Sequence, residues 1–270
     1  MAINDISLTS GMRNNLVSLQ DTVNLLNRTQ DRLSSGKKVN SALDNPTSFF
    51  AAQALNSRAA DLSALKDGMG QAVQTVKAAD AGITGITTLI EAAKGIAQAA
   101  LSTSDTTSRA AYAVQYDTIR AQITDITEDS GYKGTNLLNN QSLTVTFNEG
   151  GTNTLSMSGT AANAGLTLAA AAGSWASDAN INAAVTELGT ATTSLRNTSA
   201  SLSSNLAIIN ARQDFTTQMV NTLTQGADKL TLADMNEEGA NMLMLQTRQA
   251  LGTTALSLSA QAAQSVLKLF

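Results

Sequence analysis

The feature that most constrains the fold is a recurrence of apolar residues every three or four positions over long tracts, interrupted by a single proline. The first tract carries these residues at Met12, Leu16, Leu19, Val23, Leu26 and Leu33. A heptad seam of this kind is typical of a helix that pairs with other helices. The first tract is therefore predicted to be one long helix with a helical partner.

The same spacing returns in later tracts. The seam positions are Leu55, Leu62, Met69, Val76 and Ile83 in the second tract, Leu188, Leu195, Leu202 and Ile209 near the third quarter of the chain, and Met244, Leu251, Leu258 and Leu269, followed by Phe270, in the last tract. If residues 47–100 form one helix, that helix is ~80 Å long, well beyond an ordinary globular helix. The spacing predicts a mainly α fold, with a long antiparallel coiled coil or helix bundle formed by the N- and C-terminal segments and a break near 226–235.

One stretch, RLSSGKKVNSALDNP, breaks the helical pattern near the N-terminus. Gly36 is a suitable residue for a helix end, and Pro46 disfavours a helical backbone at Asn45. Either Asp44 or Asn45 is placed to cap a new helix, with Pro46 in its first turn, where a missing N–H costs nothing. The stretch predicts a joint between two helices.

Residues 131–182 follow a different pattern. Apolar residues alternate at Leu143, Val145 and Phe147 and again at Leu155 and Met157. Period-two alternation on both sides of a glycine-containing turn at 148–151 predicts a β-hairpin. The rest of the segment, which includes the only tryptophan, Trp175, is predicted to be an irregular connector.

The composition argues against several classes of function. With no histidine and no cysteine, the chain lacks the commonest general base, the thiolate nucleophile and the preferred zinc ligands, so neither an enzyme nor a cofactor is expected. Asp234, Glu237 and Glu238 are interpreted as a solvated helix end. A net charge of −4 disfavours nucleic-acid binding, and no apolar stretch approaches the ~18 residues of a membrane span.

The last tract is apolar on more than one side. Off its seam it carries Leu243, Leu245, Leu256, Val266 and Leu267. A pair of helices buries only one side of each, and leftover apolar surface usually marks an interaction site. The pattern therefore predicts self-association, and a contact between different faces that does not close on itself builds a helical filament.

Both ends of the chain carry specific motifs. RLSSGKKVNSALDNP, at residues 32–46, resembles the signature segment of bacterial flagellins, in which a heptad helix is followed by RLSSG and an N-S-A-x-D turn. NEEGANMLMLQTRQALGTTALSLSAQAAQSVLKLF, at residues 236–270, is similar to the flagellin C-terminus, with an acidic pair, an LQ step and a terminal Leu-Phe. The resemblance covers roughly residues 1–135 and 183–270.

This resemblance implies an extracellular structural subunit that self-assembles into the helical tube of the flagellar filament for swimming motility. The implied layout is an inner helical pair from residues 1–35 and 232–270, a joint at 36–46, a second layer of helices from 47–130 and 183–231, and a hairpin with a short variable surface region at 131–182. The apolar seams of the two terminal tracts are then the self-assembly residues.

The resemblance also implies partners. These are further copies of the chain, a flagellar export chaperone, and cap and junction proteins, with export that uses no cleaved signal peptide. In many flagellins the segment aligned with residues 89–100 carries an arginine-rich patch recognised by a Toll-like receptor. Here Glu91, Ala92, Ala93, Lys94 and Gly95 stand in its place. Because bidentate guanidinium donors are missing, weak or absent receptor recognition is expected.

The nearest alternative is a flagellin-like hook–filament junction protein, which shares the terminal helices but usually has a longer middle. A type III translocator or tip protein is also long and helical, but it needs an apolar membrane-inserting segment that this sequence lacks. A soluble enzyme is the remaining alternative.

Overall fold

The helices of the computed structural model follow the tracts of apolar spacing. It describes residues 10–160 and 168–267, without the side chains of Val266 and Leu267. Within these residues the long helices are α1 (Ser10–Ser35), α2 (Pro46–Leu101), α3 (Thr106–Asp129), α4 (Asp178–Thr231) and α5 (Met235–Leu267), and the strands are β1 (Leu143–Thr146) and β2 (Thr154–Met157). The predicted fold class, mainly helical with a small β-hairpin, is confirmed.

Contacts divide the chain into two units. The terminal unit comprises Met1–Ser57 and Leu223–Phe270, and the central unit comprises Arg58–Thr222. The two longest helices, α2 and α4, contribute residues to both units. The predicted layout, which places its boundaries at the joints instead, concerns the assembled filament and stays a prediction.

The core of the central unit lies between α2, α3 and α4. Gly85 of α2 lies close enough to Ile126 of α3 that an added Cβ would be 3.6 Å from Ile126 Cδ1. Lys94 Nζ of α2 donates to Thr192 Oγ1 of α4 at 3.2 Å. A short turn joins α2 to α3, so α3 runs antiparallel to α2. Helix α4 does so too, because Ser199, further along α4 than Thr192, contacts Asp80, which precedes Lys94 on α2.

The predicted seam residues of α2 and α4 lie mostly in this core. Leu62, Met69, Val76, Ile83, Leu188, Leu195, Leu202 and Ile209 are buried, whereas Leu55 is half-buried and belongs to the terminal unit. The turn before α3 is fixed by Asp105, whose carboxylate accepts from the Ser108 N–H at 2.8 Å. This is an N-cap, which satisfies a donor that has no partner within the helix.

The β-hairpin adds one more layer to the central unit. Strands β1 and β2 are antiparallel, with Leu143 opposite Met157 and Val145 opposite Leu155. Val145 and Met157 are buried in the core, so the alternation seen in the sequence places one face of the hairpin inward. In the turn, Asn148 Oδ1 accepts from the Asn153 N–H at 2.9 Å.

The segment between α3 and α4 is less superficial than its sequence predicts. Leu137, Leu138 and Trp175 are fully buried, and the Trp175 ring lies 4.9 Å from that of Tyr116, centroid to centroid. In addition, α4 begins at Asp178 rather than at residue 183. A compositional reading assigns such small-residue segments to the surface, yet here three large side chains complete the core.

Within residues 10–160 and 168–267, every helix is either too short or too polar to span a membrane.

Candidate self-assembly site

The terminal unit is built on an antiparallel pair, α1 and α5. Arg32, near the end of α1, contacts Glu238, near the start of α5. Further along, a Cβ added at Gly252 would lie 3.1 Å from Leu19 Cδ1, so the Leu19 side chain packs directly on the α5 backbone at this point. The sequence suggests that the two ends of the chain pair, and in the terminal unit they do so along most of α1.

The seam of α1 faces α5 in the manner that its spacing predicts, except at one position. Met12 is buried, Leu19, Val23, Leu26 and Leu33 are half-buried, and Leu16 is exposed. Thr29 is also buried in this interface. Half-burial is the expected state for residues of a two-helix layer, because each has a neighbour on one side only.

The seam predicted on α5 is not the face that packs on α1. The packing face carries Glu238, Leu245, Gly252 and Leu256, and these residues are buried or half-buried. The predicted residues Met244 and Leu251 each precede a packing residue by one position, which places them about 100° round the helix. Leu245, which appeared off the seam in the sequence, is buried and lines a cleft with residues of α1, and Leu256, also off the seam, is half-buried.

Met244, Leu251 and Leu258 therefore form an exposed line along α5, which we call the α5 stripe. Their exposed fractions are 48%, 65% and 62%. They are spaced seven residues apart, so they stay on nearly the same side of the helix over four turns. The remaining predicted residues of this tract, Leu269 and Phe270, lie outside the described residues.

The two breaks in the helical pattern lie side by side and share backbone hydrogen bonds. Lys37 forms an antiparallel β-bridge with Leu232. The Lys38 N–H donates to the Thr231 carbonyl at 2.8 Å, and the Ala233 N–H donates to the Gly36 carbonyl at 3.0 Å. The joint between α1 and α2 is thus tied to the joint between α4 and α5.

The predicted residues of the first joint end one helix, begin the next and shape the loop between them. Gly36 has a φ of 69°, in the left-handed region that glycine tolerates best, and it ends α1. Asn45 takes the cap of α2, since its Oδ1 accepts from the Ser48 N–H at 3.1 Å and Pro46 is the first helical residue. Asp44, the other candidate, folds the loop instead.

The Asp44 carboxylate accepts two backbone hydrogen bonds inside the loop. Its Oδ2 receives the Ser41 N–H at 3.0 Å and the Asn40 N–H at 2.9 Å. These two donors stabilise the ionised form and lower the pKa of the Asp44 carboxyl below its usual value. The side chain itself remains exposed to solvent.

The interpretation of Glu238 as part of a solvated helix end is wrong. Asp234 and Glu237 are exposed, but Glu238 is buried, and its Oε1 accepts from Arg32 Nη1 at 2.7 Å. A charge at this depth is tolerated because it is paired. The sequence offers only a weak indication of this pair, since Arg32 lies next to Leu33 on the α1 face that packs on α5.

A cleft runs between α1 and α5 beside this ion pair. It has a volume of about 220 Å³, and its walls include Leu25, Arg28, Arg32, Met244, Leu245 and Arg248. Arg28 and Arg248 have no ion-pair or hydrogen-bond partner within the described part of the chain. The cleft therefore combines apolar walls with two guanidinium groups that have unused donors. We call it the arginine cleft.

No cluster of three or more acidic side chains that could hold a metal ion is found among residues 10–160 and 168–267. The notable features of the terminal unit are thus an apolar stripe, a tied pair of joints and a cleft. None of these is an arrangement for covalent chemistry, whereas an exposed apolar stripe is suited to protein association.

Comparison with known proteins decides the family. A family model described as the bacterial flagellin N-terminal helical region matches residues 3–142. The chain belongs to the bacterial flagellins. Flagellin FljM of Caulobacter vibrioides is 32% identical to this flagellin over 276 residues, covering 100% of both chains. The flagellin of Brucella melitensis is 28% identical over 268 residues, covering 94% of this chain and 95% of that protein.

Among solved structures, the crystal structure of Bacillus cereus flagellin aligns with a TM-score of 0.49 and 17% identity, covering 55% of this chain and 88% of that chain. Family membership makes this flagellin a structural subunit of the extracellular flagellar filament, into which the family self-assembles, and not an enzyme. No finding favours the junction-protein alternative.

Proposed function

We propose that this flagellin joins neighbouring copies of itself in the filament through the α5 stripe. The stripe leaves three large apolar side chains in water while the face beside it packs on α1. A filament subunit needs apolar surface that the single chain leaves uncovered, and the stripe meets that need. Its exposure is the observation that carries the proposal.

The free energy of the expected contact follows from the apolar surface that the stripe buries. Burying one exposed Leu or Met side chain contributes ~1.5–3 kcal/mol. Because the three stripe residues are 48–65% exposed, burying them contributes about half of this amount each, roughly 3–5 kcal/mol in total, which offsets part of the loss of translational and rotational freedom on association. A copy at the filament end presents an uncovered stripe to an incoming chain, so growth depends on concentration and on existing filament ends.

The remaining parts of the chain have proposed places in the same assembly. Residues 1–35 and 232–270 supply the inner helical pair, and residues 47–130 with 183–231 supply the next layer. The joint at 36–46 connects the layers, and the hydrogen bonds that tie it to the second joint support a connector that moves as one piece. The segment 131–182 supplies the β-hairpin and a short variable surface region, although several of its large side chains are buried in the core.

The proposed partners outside the filament are an export chaperone and the cap and junction proteins. Family membership supports these partners, as it supports export without a cleaved signal peptide. The substitution of an arginine-rich patch by Glu91, Ala92, Ala93, Lys94 and Gly95 supports weak or absent recognition by a Toll-like receptor.

Seeded growth tests the proposal. Purified chain is added to fragments of its own filaments, and elongation is followed by light scattering and electron microscopy. Leu251→Glu places a charge in the middle of the stripe and is expected to abolish elongation. Val114→Glu is the matched control, because Val114 on α3 is 68% exposed and the same charge is added.

The free energy of unfolding of each variant should lie within about 0.5 kcal/mol of the parent value, since both positions are exposed in the monomer. Elongation of Leu251→Glu at the parental rate would overturn the proposal. Equal loss in both variants would show that charge at any exposed apolar position blocks growth, and the stripe would then have no special role.

A further inference from the structure

The methionines of this chain differ sharply in their access to solvent. Met12, Met69 and Met157 are buried, and Met219 and Met242 are half-buried. Met235 and Met244 are each 48% exposed. Because a dissolved oxidant must reach the sulfur atom, these two are the described methionines that peroxide modifies first.

The two exposed methionines lie on opposite sides of α5. Met235 precedes Met244 by nine positions, which corresponds to a rotation of about 180°. Met244 belongs to the α5 stripe and lines the arginine cleft, whereas Met235 belongs to neither. Within residues 10–160 and 168–267, one methionine thus lies in the proposed interface and an equally exposed one lies outside it.

We propose that Met244 is an oxidative control site for filament growth: a peroxide converts its thioether to the sulfoxide, and the sulfoxide prevents the α5 stripe from packing on another copy. The inference rests on the proposed function of the stripe. It assigns to one residue of that stripe a reversible modification with hydrogen peroxide as the co-reactant.

The reaction balances with hydrogen peroxide alone. The Met244 sulfur attacks one peroxide oxygen, the O–O bond breaks, an S–O bond forms, and water leaves after proton transfer. The sulfur loses two electrons and the peroxide is reduced. The product is a polar, chiral side chain in place of a flexible apolar one, and sulfoxide reductases restore the thioether.

The surroundings of Met244 suit its apolar thioether better than its polar sulfoxide when another copy packs on the stripe. The other stripe residues, Leu251 and Leu258, offer no donor to a sulfoxide oxygen, so burying it between copies leaves a polar atom unsatisfied. In the free chain Met244 is 48% exposed, so water hydrates the sulfoxide oxygen instead. Oxidation therefore stabilises the free chain relative to the filament.

The experiment combines oxidation of the free chain with seeded growth. Parent, Met244→Leu and Met235→Leu chains are treated with hydrogen peroxide, and the sulfoxide at each methionine is quantified by peptide mass spectrometry. Met→Leu preserves volume and removes the oxidisable sulfur. Because Met244 lies in the proposed contact, each oxidised chain is compared with its own untreated sample, and only Met235→Leu is expected to match the parent before oxidation.

After oxidation, elongation of the parent and of Met235→Leu should fall about tenfold, which corresponds to ~1.4 kcal/mol at the interface. Met244→Leu should keep its rate, and a sulfoxide reductase should restore the other two. In intact filaments, Met244 should oxidise more slowly than Met235, because a neighbouring copy covers it.

The inference is overturned if the parent chain elongates normally with Met244 fully oxidised, or if Met244→Leu loses as much growth as the parent. Failure of the proposed function is distinguishable, because in that case Leu251→Glu elongates seeds without any oxidant. Equal oxidation of Met244 and Met235 in filaments would also contradict burial of the stripe.

Discussion

Two heptad seams in this flagellin have the same spacing but opposite environments. On α4, in the central unit, the seam residues Leu188, Leu195, Leu202 and Ile209 are between 0% and 6% exposed. On α5, in the terminal unit, Leu251 and Leu258 are 65% and 62% exposed. Periodicity alone does not tell a core from an interface.

The difference follows from the number of helices that surround each seam. In the central unit α2, α3, α4 and the hairpin surround one core, so a seam residue has neighbours on several sides. In the terminal unit α5 packs on α1 along one face, and a residue about 100° away from that face stays in water. Covering the stripe requires another helix besides α1, and a further copy of the chain is proposed to supply it.

The largest expected effect sharpens this comparison with one substitution in each seam. Leu188→Ala should cost ~3 kcal/mol in the free energy of unfolding of the monomer, since it leaves a cavity in a closed core. Leu251→Ala should cost less than ~0.5 kcal/mol in the same measurement, because its side chain is already exposed. Urea denaturation followed by circular dichroism provides both values.

In seeded growth, under conditions where both chains are folded, the variant with the larger effect should be Leu251→Ala instead of Leu188→Ala. Leu251→Ala should slow elongation, while Leu188→Ala should leave it close to the parental rate. Similar unfolding costs for the two variants would mean that the stripe is covered within the single chain.

A smaller effect tests how tightly the central core is closed. A Cβ at Gly82 would overlap Ser130 Oγ and lie 2.6 Å from Ser130 Cβ and 2.9 Å from Leu138 Cδ1. Gly82→Ala should therefore destabilise the monomer by ~1–3 kcal/mol, since overpacking forces neighbours to shift. The measurement is the urea midpoint.

Gly95 is the matched control on the same helix, because nothing lies within 4 Å of its added Cβ. Gly95→Ala should stabilise the chain by about 0.5–1 kcal/mol through helix propensity alone. If both substitutions raise the urea midpoint, the central core is looser than the structure indicates.

The smallest expected effect concerns the joint of the terminal unit. The pKa of Asp44 is lowered in the folded chain, first by the Ser41 N–H and then by the Asn40 N–H. Its contribution is therefore present above the usual carboxyl pKa of 3.8 and is lost as the pH falls through the lower folded value. Amide hydrogen exchange should show that Ser41 loses protection below a pH of about 4.

The amide of Lys38 is the internal control, because it donates to the Thr231 carbonyl and not to a titrating group. Asp44→Asn should remove the pH dependence of the protection of the Ser41 amide and leave the protection of the Lys38 amide unchanged. Constant protection of Ser41 in acid would contradict the assigned role of the carboxylate.

Local features of the fold could be predicted because their causes are local. Gly36 and Pro46 mark the two ends of the first joint. Alternation of apolar residues on both sides of a turn marks the hairpin. The choice between Asp44 and Asn45 as the helix cap could not be made from sequence, since both residue types are good caps. The loop conformation decided it by directing Asp44 to its own backbone.

Features that depend on distant parts of the chain were harder to predict. Arg32 and Glu238 are separated by 206 positions, so their pairing follows only from the register of α1 on α5. Trp175 lies in a segment of small residues with no periodicity, and its burial follows from the path of the chain over α3. In each case the missing information was which elements become neighbours.

The sequence by itself determined that this flagellin consists of long paired helices with two joints and a hairpin, because helix period, strand period and turn chemistry act over a few residues. It also identified the family from the motifs at both ends. Only the tertiary structure decided which side of α5 faces α1. That helix is apolar on two sides, and the side that packs on α1 is the one with Gly252, which contacts Leu19, and with the buried Leu245. The other side, the stripe of Met244, Leu251 and Leu258, is left exposed.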